Sequence, residues 1–266
     1  MGCEGAMDIL SCFDGHKFPE LSRVSADGYS SAVPFPHVVL DDFLPHDTAL
    51  ALAESFPDLK STELDAWRFH DNQNTSRWFQ EDSTKMPQPL REFSAACVSR
   101  AFLQFLATLT RIPELTADPY FIGGGAMVTA NGGFLKIHAD FNWHALLRSW
   151  RRVNALFYLT PDWQSDWGGD LELWSRDGSQ RVVSVAPKFN RLVVFSTTSD
   201  SFHGQPTPLR TPPGVSRNIF SAFYYSSNRG AGTDLDPHFT KYSLERSPYG
   251  QAVMSDYLAT PSERAQ

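Results

Sequence analysis

From Ala126 to Tyr225 the chain is cut into short β-branched and aromatic runs separated by turn residues, and this constrains the fold more than any other feature. The runs are Ala126–Thr129, Phe134–Ala139, Val153–Thr160, Leu171–Trp174, Arg181–Val185, Leu192–Ser196 and Asn218–Tyr225. The breaks between them are Asn131-Gly132-Gly133, Gly168-Gly169, Asp177-Gly178-Ser179 and the proline-rich stretch from Pro206 to Gly214. Strands this short at such spacing read as an antiparallel sandwich or barrel. The segment before them carries helical rather than alternating periodicity, so it supplies a layer to cover one sheet face.

That preceding segment, 34–119, reads as a helical support region. Val38-Val39-Leu40 is a strand candidate, and Ala49, Leu52, Ala53 and Phe56 fall on one helical face before Pro57. Between Pro89 and Thr110, Leu90, Phe93, Cys97, Phe102, Phe105, Leu106 and Leu109 recur at three-to-four spacing, the longest helix candidate. Residues 1–33 show no sustained period and are expected to be a poorly ordered or peripheral leader. The strand region is 120–226, and 227–266 is a polar tail, expected to be a loop and a short helix.

Composition excludes several classes. With 266 residues and 41% hydrophobic content the chain can bury a real core. A formal charge of −7 repels a phosphate backbone, so nucleic acid is not an expected partner. Only Cys3, Cys12 and Cys97 occur, with no Cys-x-x-Cys pair, which excludes a disulfide framework and points to a reducing cytoplasm. No apolar run reaches the roughly 18 residues of a membrane span. A monomer or a homodimer is expected.

Of the eight histidines, one sits in a His-x-Asp or His-x-Glu pattern, His138-Ala139-Asp140, at the end of the run Phe134–Ile137. Residues i and i+2 of a strand share a face, so imidazole and carboxylate project together. His203 follows a later run, in Ser199-Asp200-Ser201-Phe202-His203-Gly204. Two imidazoles and one carboxylate on one side of an ion leave the opposite positions open, which suits non-haem Fe(II) and oxygen activation. Arg217 opens the last run with a permanent cation whose fork matches a carboxylate.

Taken in order, these phrases resemble the iron(II)/2-oxoglutarate-dependent dioxygenases of the prolyl-hydroxylase-like branch. The matching phrases are His138-Ala139-Asp140, Ala155–Thr160 with Trp163 and Gly168-Gly169, Asp170–Leu173, Asn190–Phe195, Ser199-Asp200 to His203-Gly204, and Arg217. The resemblance implies a mainly β fold with flanking helices: a double-stranded β-helix (jelly-roll, cupin-like) core covered by N-terminal helices. It implies that His138, Asp140 and His203 bind Fe(II), and that Arg217 holds the distal carboxylate of 2-oxoglutarate. Tyr158 matches a position that helps hold that carboxylate, and Asn154, on the same strand face, lines the same cavity. Arg151, His144 and Trp143 are substrate-side candidates. Ile219 stands where many relatives carry a serine two residues after the arginine.

The implied activity is hydroxylation of an unactivated C–H bond with O2, releasing succinate and CO2, with ascorbate as the reductant. The substrate is a small metabolite, an amino acid or a prolyl-type side chain on a peptide, chosen by loops within 68–79, 141–150 and 206–216. The other function class is a non-catalytic cupin-like module that binds a metal or ligand. The cluster Arg148, Arg151 and Arg152 reads as a solvated face or, if it lies near an iron mouth, as a place that attracts an anionic substrate.

Overall fold

A computed structural model describes residues 8–70, 76–229 and 236–242. In chain order its elements are α1 (Lys17–Ser31), β1 (His37–Leu40), α2 (His46–Glu54), β2 (Arg68–His70), β3 (Arg77–Gln80), α3 (Gln88–Cys97), α4 (Arg100–Thr110) and β4 (Thr116–Ala117). There follow β5 (Gly125–Thr129), β6 (Leu135–Ala139), β7 (Trp143–His144), β8 (Ser149–Tyr158), β9 (Leu171–Trp174), β10 (Arg181–Val185), β11 (Arg191–Ser196), β12 (His203–Gln205), β13 (Arg217–Ser226) and β14 (Lys241–Tyr242).

The strands form two antiparallel sheets. The larger runs β1-β11-β8-β13-β5-β3-β2, with β4 beside β13 and β7 beside β8; the smaller runs β10-β9-β12-β6-β14. Alternation decides what each face meets. On β8, Val153, Ala155 and Phe157 face the helices, while Asn154, Leu156 and Tyr158 face the smaller sheet. On β13, Phe220, Ala222 and Tyr224 join the helical side, and Ile219 faces inward. The two sheets enclose a chamber, in keeping with the expected double-stranded β-helix core.

The helical side is a phenylalanine cluster. Phe93 meets Phe157 edge-on at 4.9 Å and Phe220 at 5.1 Å, and Phe13 stacks on Phe102 at 4.3 Å. Each fully buried ring of this kind contributes about 1.5–3 kcal/mol through the area it removes from water. The single long helix expected over 89–110 is two helices whose axes bend by 50°. Ser99 makes the break: its Oγ accepts the N–H of Phe102, capping α4 and starting it in a new direction. No single helix among the described residues is long and apolar enough to cross a membrane.

The expectation of a poorly ordered leader is corrected over residues 8–33. α1 packs on α4, with Phe18, Ser22, Ala26 and Tyr29 on its buried stripe. Tyr29 reaches Ser196 Oγ at 2.7 Å, and Ile9, Cys12 and Phe13 enter the same core. The stripe was hidden because it mixes Ser and Ala with aromatics in an otherwise polar helix. The tail is corrected in part as well: Lys241-Tyr242 is a strand paired with β6. Residues 1–7, 71–75, 230–235 and 243–266 lie outside the described residues.

Candidate active site

β6 and β12 are antiparallel neighbours, and their register makes His203 and His138 direct cross-strand partners. The approach is tight because Gly204 follows His203: a Cβ there would stand 2.7 Å from the Lys136 carbonyl oxygen and 2.8 Å from that of Leu135. Asp140, just past the end of β6, turns back toward both rings. His138 Nε2 lies 3.4 Å from Asp140 Oδ1, and His203 Nε2 lies 3.4 Å from Asp140 Oδ2. The three ligand atoms fall within 4.8 Å of one another, and among the described residues this is the one such group that could hold a metal ion.

The hydrogen bonds fix the tautomers. His138 Nδ1 faces the Lys136 carbonyl at 2.7 Å and His203 Nδ1 faces the Ser201 carbonyl at 2.9 Å. A carbonyl only accepts, so each Nδ1 carries the proton and each Nε2 lone pair is directed at the common point. Burial pushes the His203 imidazole down to about 4, so it is neutral at physiological pH and able to ligate. For Asp140, burial alone would raise its pKa. Arg151 first, then His203 and His138, outweigh that and hold the carboxyl well below its ordinary range. These groups fit a divalent ion: two imidazole nitrogens and one carboxylate, with open positions opposite.

The structure places Arg151 and Asn154 against the carboxylate. Arg151 Nη2 is 3.0 Å from Asp140 Oδ2, Asn154 Nδ2 donates to the same oxygen at 2.8 Å, and Arg151 Nε donates to Asn154 Oδ1 at 2.9 Å. Asn154 therefore orients Asp140 from the inward face that it shares with Tyr158, and Arg151 is a buried counter-charge to that carboxylate. The rings of Phe223 and Phe141 flank its guanidinium, 3.5 and 4.6 Å from the centroids. A β-bulge makes the pair possible. Opposite β13, Tyr224 pairs with Val153 but Tyr225 pairs with Arg151, leaving Arg152 as the extra residue and moving Arg151 to the face of Asn154. The expected basic cluster consequently splits: Arg152 Nη1 bonds the Asn228 carbonyl, and Arg148 is exposed.

His144 and Trp143, the other two substrate-side candidates, sit on β7. His144 is buried, accepts the Leu147 N–H at Nδ1, meets Tyr225 edge-on at 5.0 Å, and lies 3.2 Å from Asp118 Oδ2. Trp143 packs on Trp150 at 4.8 Å. Both brace the β7–β8 hairpin.

Across the chamber, Arg217 and Tyr158 are buried together, the guanidinium carbon 5.1 Å from the ring centroid. Arg217 Nε and the Tyr158 hydroxyl have no hydrogen-bond partner among the described residues. Gly169, at φ +83°, lets the arginine stem pass: a Cβ there would meet Leu209 at 2.9 Å, Trp163 at 3.0 Å and Arg217 Cδ at 3.2 Å. Buried polar atoms left unpaired are costly, so this pair is shaped for an anionic ligand with its own acceptors. Tyr242 was missed because two residues of alternation are too few to read. It is the β14 partner of His138, with ring centroids 5.8 Å apart.

Residues 124–225 match the model of the 2OG-Fe(II) oxygenase superfamily. Over these residues the chain is similar to the 2OG-Fe(II) oxygenases. The prolyl 3-hydroxylase OGFOD1 of Mus musculus is 26% identical over 220 residues, which are 81% of this chain and 36% of that protein. The chain thus spans about a third of the length of that relative. A prolyl 4-hydroxylase structure from Phytophthora capsici superposes with a TM-score of 0.56 at 22% identity, covering 100% of this chain and 78% of the other. HygX from Streptomyces hygroscopicus, solved with nickel, 2-oxoglutarate and hygromycin B, superposes with a TM-score of 0.51 at 12% identity, covering 83% and 97%. These likenesses place the chain on the double-stranded β-helix fold.

Proposed function

We propose that this oxygenase domain hydroxylates an unactivated C–H bond, with Fe(II) held by His138, Asp140 and His203 and with 2-oxoglutarate as co-substrate. The observation that carries the reading is the orphaned pair Arg217 and Tyr158, facing the same chamber as a preorganised His-Asp-His set. Iron bound there would couple oxidative decarboxylation of 2-oxoglutarate, which yields succinate and CO2, to insertion of one oxygen atom into the substrate.

The protein's own residues do the positioning. Arg217 offers a fork to the distal carboxylate, with the Tyr158 hydroxyl as a second donor. Arg151 and Asn154 hold Asp140 against rotation and keep it ionised, so the carboxylate is available without a proton to lose. The apolar wall of Leu173, Phe195 and Ile219 excludes water around them.

For the substrate, the likeness to a prolyl 3-hydroxylase supports a prolyl-type side chain, and the likeness to HygX, solved with hygromycin B, supports a small molecule. Ascorbate would serve as reductant. The free thiols of Cys12 and Cys97 support a reducing compartment such as the cytoplasm. The test is mass spectrometry of peptide and metabolite panels incubated with the purified protein, Fe(II), 2-oxoglutarate and ascorbate. A product heavier by one oxygen atom, absent without 2-oxoglutarate, is expected. Product formation that does not depend on 2-oxoglutarate would overturn the reading.

A further inference from the structure

Arg77 is a cation in this chamber to which the oxygenase reading gives no task. Register carries it there: Arg77 on β3 pairs with Thr129 on β5, and Thr129 pairs with Arg217 on β13. Residues in one row of a sheet share a face, so Arg77 and Arg217 both look into the chamber, about 10 Å apart at two strand spacings. Arg77 lies on the side of Arg217 away from Tyr158, since the strand order is β8-β13-β5-β3.

The described residues around it do not neutralise it. Nη2 donates to Met127 Sδ at 3.3 Å, a weak acceptor, and among the described residues no carboxylate forms an ion pair with Arg77. Two nearby carboxylates among the described residues are engaged elsewhere: Asp140 with Arg151 and Asn154, and Asp170 with Ser184 Oγ. Burial, with Arg217 adding repulsion, pushes the Arg77 guanidinium down to about 10, so it stays charged at neutral pH. Tyr242, its ring tilted against that of His138 at 5.8 Å, lies in the field of both Arg77 and Asp140. Arg77 therefore borders the space beside the metal ligands. A half-buried guanidinium whose hydrogen-bond acceptor is a thioether, with no carboxylate paired to it among the described residues, is a place for an anion.

Two carboxylates could supply it, that of 2-oxoglutarate or that of the primary substrate. The distal carboxylate of 2-oxoglutarate has two oxygens, which the Arg217 fork and the Tyr158 hydroxyl already satisfy on the β8 side. We propose that Arg77 binds an acidic group of the primary substrate, so the domain selects a substrate carrying a carboxylate near the hydroxylated carbon. This rests on the oxygenase reading and specifies its substrate class.

The experiment uses protein loaded with Ni(II) and 2-oxoglutarate. It measures by saturation-transfer NMR the binding of N-acetyl amino acids, proline and glutamate included, as free acids and as the matching amides. In the wild type the acids are expected to bind at least about 10-fold tighter than the amides. Arg77→Gln should reduce that preference to within about 2-fold while leaving 2-oxoglutarate affinity in place, and Arg77→Lys should keep part of it. Thermal melting of each variant checks that it is folded. Absence of any preference for acids in the wild type, including no acid binding at all, overturns the proposal. So does a loss of 2-oxoglutarate affinity in Arg77→Gln equal to that in Arg217→Gln, which would make Arg77 part of the co-substrate clamp. Failure of the wild type to bind 2-oxoglutarate is the separate result that would sink the oxygenase reading.

Discussion

The two faces of the larger sheet are made by the same strands and do opposite work. Outward, β5, β8, β11 and β13 present Val128, Val153, Phe157, Val194 and Phe220 to the helices, an apolar surface closed by rings from α1, α3 and α4. Inward, one residue along, the same strands present Thr129, Asn154, Tyr158, Arg217 and Ser221, all buried. A strand's period of two lets stability and chemistry be specified almost independently: the outward face supplies the burial energy, and the inward face carries unpaired and charged groups that cost some of it. Substitutions should therefore separate by face.

The largest shift in stability is expected on the outward side. Phe93→Ala empties a fully buried position among Phe13, Phe157 and Phe220 and should cost about 3–5 kcal/mol in urea unfolding. Below its melting temperature this variant should bind 2-oxoglutarate like the wild type; a selective loss of affinity would break the separation. On the inward side, Arg217→Gln should weaken 2-oxoglutarate binding by about 10- to 100-fold, the worth of a charge-assisted hydrogen bond. Its unfolding free energy should stay level or rise, since a buried charge is removed. Arg151→Gln leaves Asp140 its Asn154 bond but removes the counter-charge, and metal affinity measured by equilibrium dialysis should fall by about 10-fold.

The smallest effect concerns the surface. The bond from Arg191, helped by Lys188, holds the half-exposed Asp41 carboxyl below its ordinary range. A depressed carboxylate stabilises above its unfolded pKa of about 3.9, and the benefit disappears as pH falls through the lower folded value. Asp41→Asn should cost under about 1 kcal/mol at neutral pH, given the exposure of the pair, with the difference from wild type closing below about pH 4. A difference still present at pH 2 would count against this ion pair as its source.

The same asymmetry governs what could be read from the sequence. The inward triad was legible because His138 and Asp140 are two apart on one strand, and Arg217 because it opens the last one. The role of Arg151 was not, since counting by twos puts it opposite Asn154; only the bulge at Arg152 brings the two together. Arg77 looked like part of a substrate loop, because nothing local says that β3 extends the sheet next to β5 and shares a row with Arg217. The first helix escaped notice since its hydrophobic stripe is interrupted by Ser22 and Ala26, residues buried by docking on α4 and not by their own apolarity.

Release of succinate from 2-oxoglutarate by the purified protein with Fe(II) and O2, compared between wild type and Asp140→Ala, tests the central claim most directly. The wild type should form succinate, slowly even without primary substrate. Asp140→Ala, folded by its melting curve but lacking the carboxylate that faces both imidazoles, should form none above the protein-free rate. Equal succinate formation by the two proteins would show that His138, Asp140 and His203 are not the metal site.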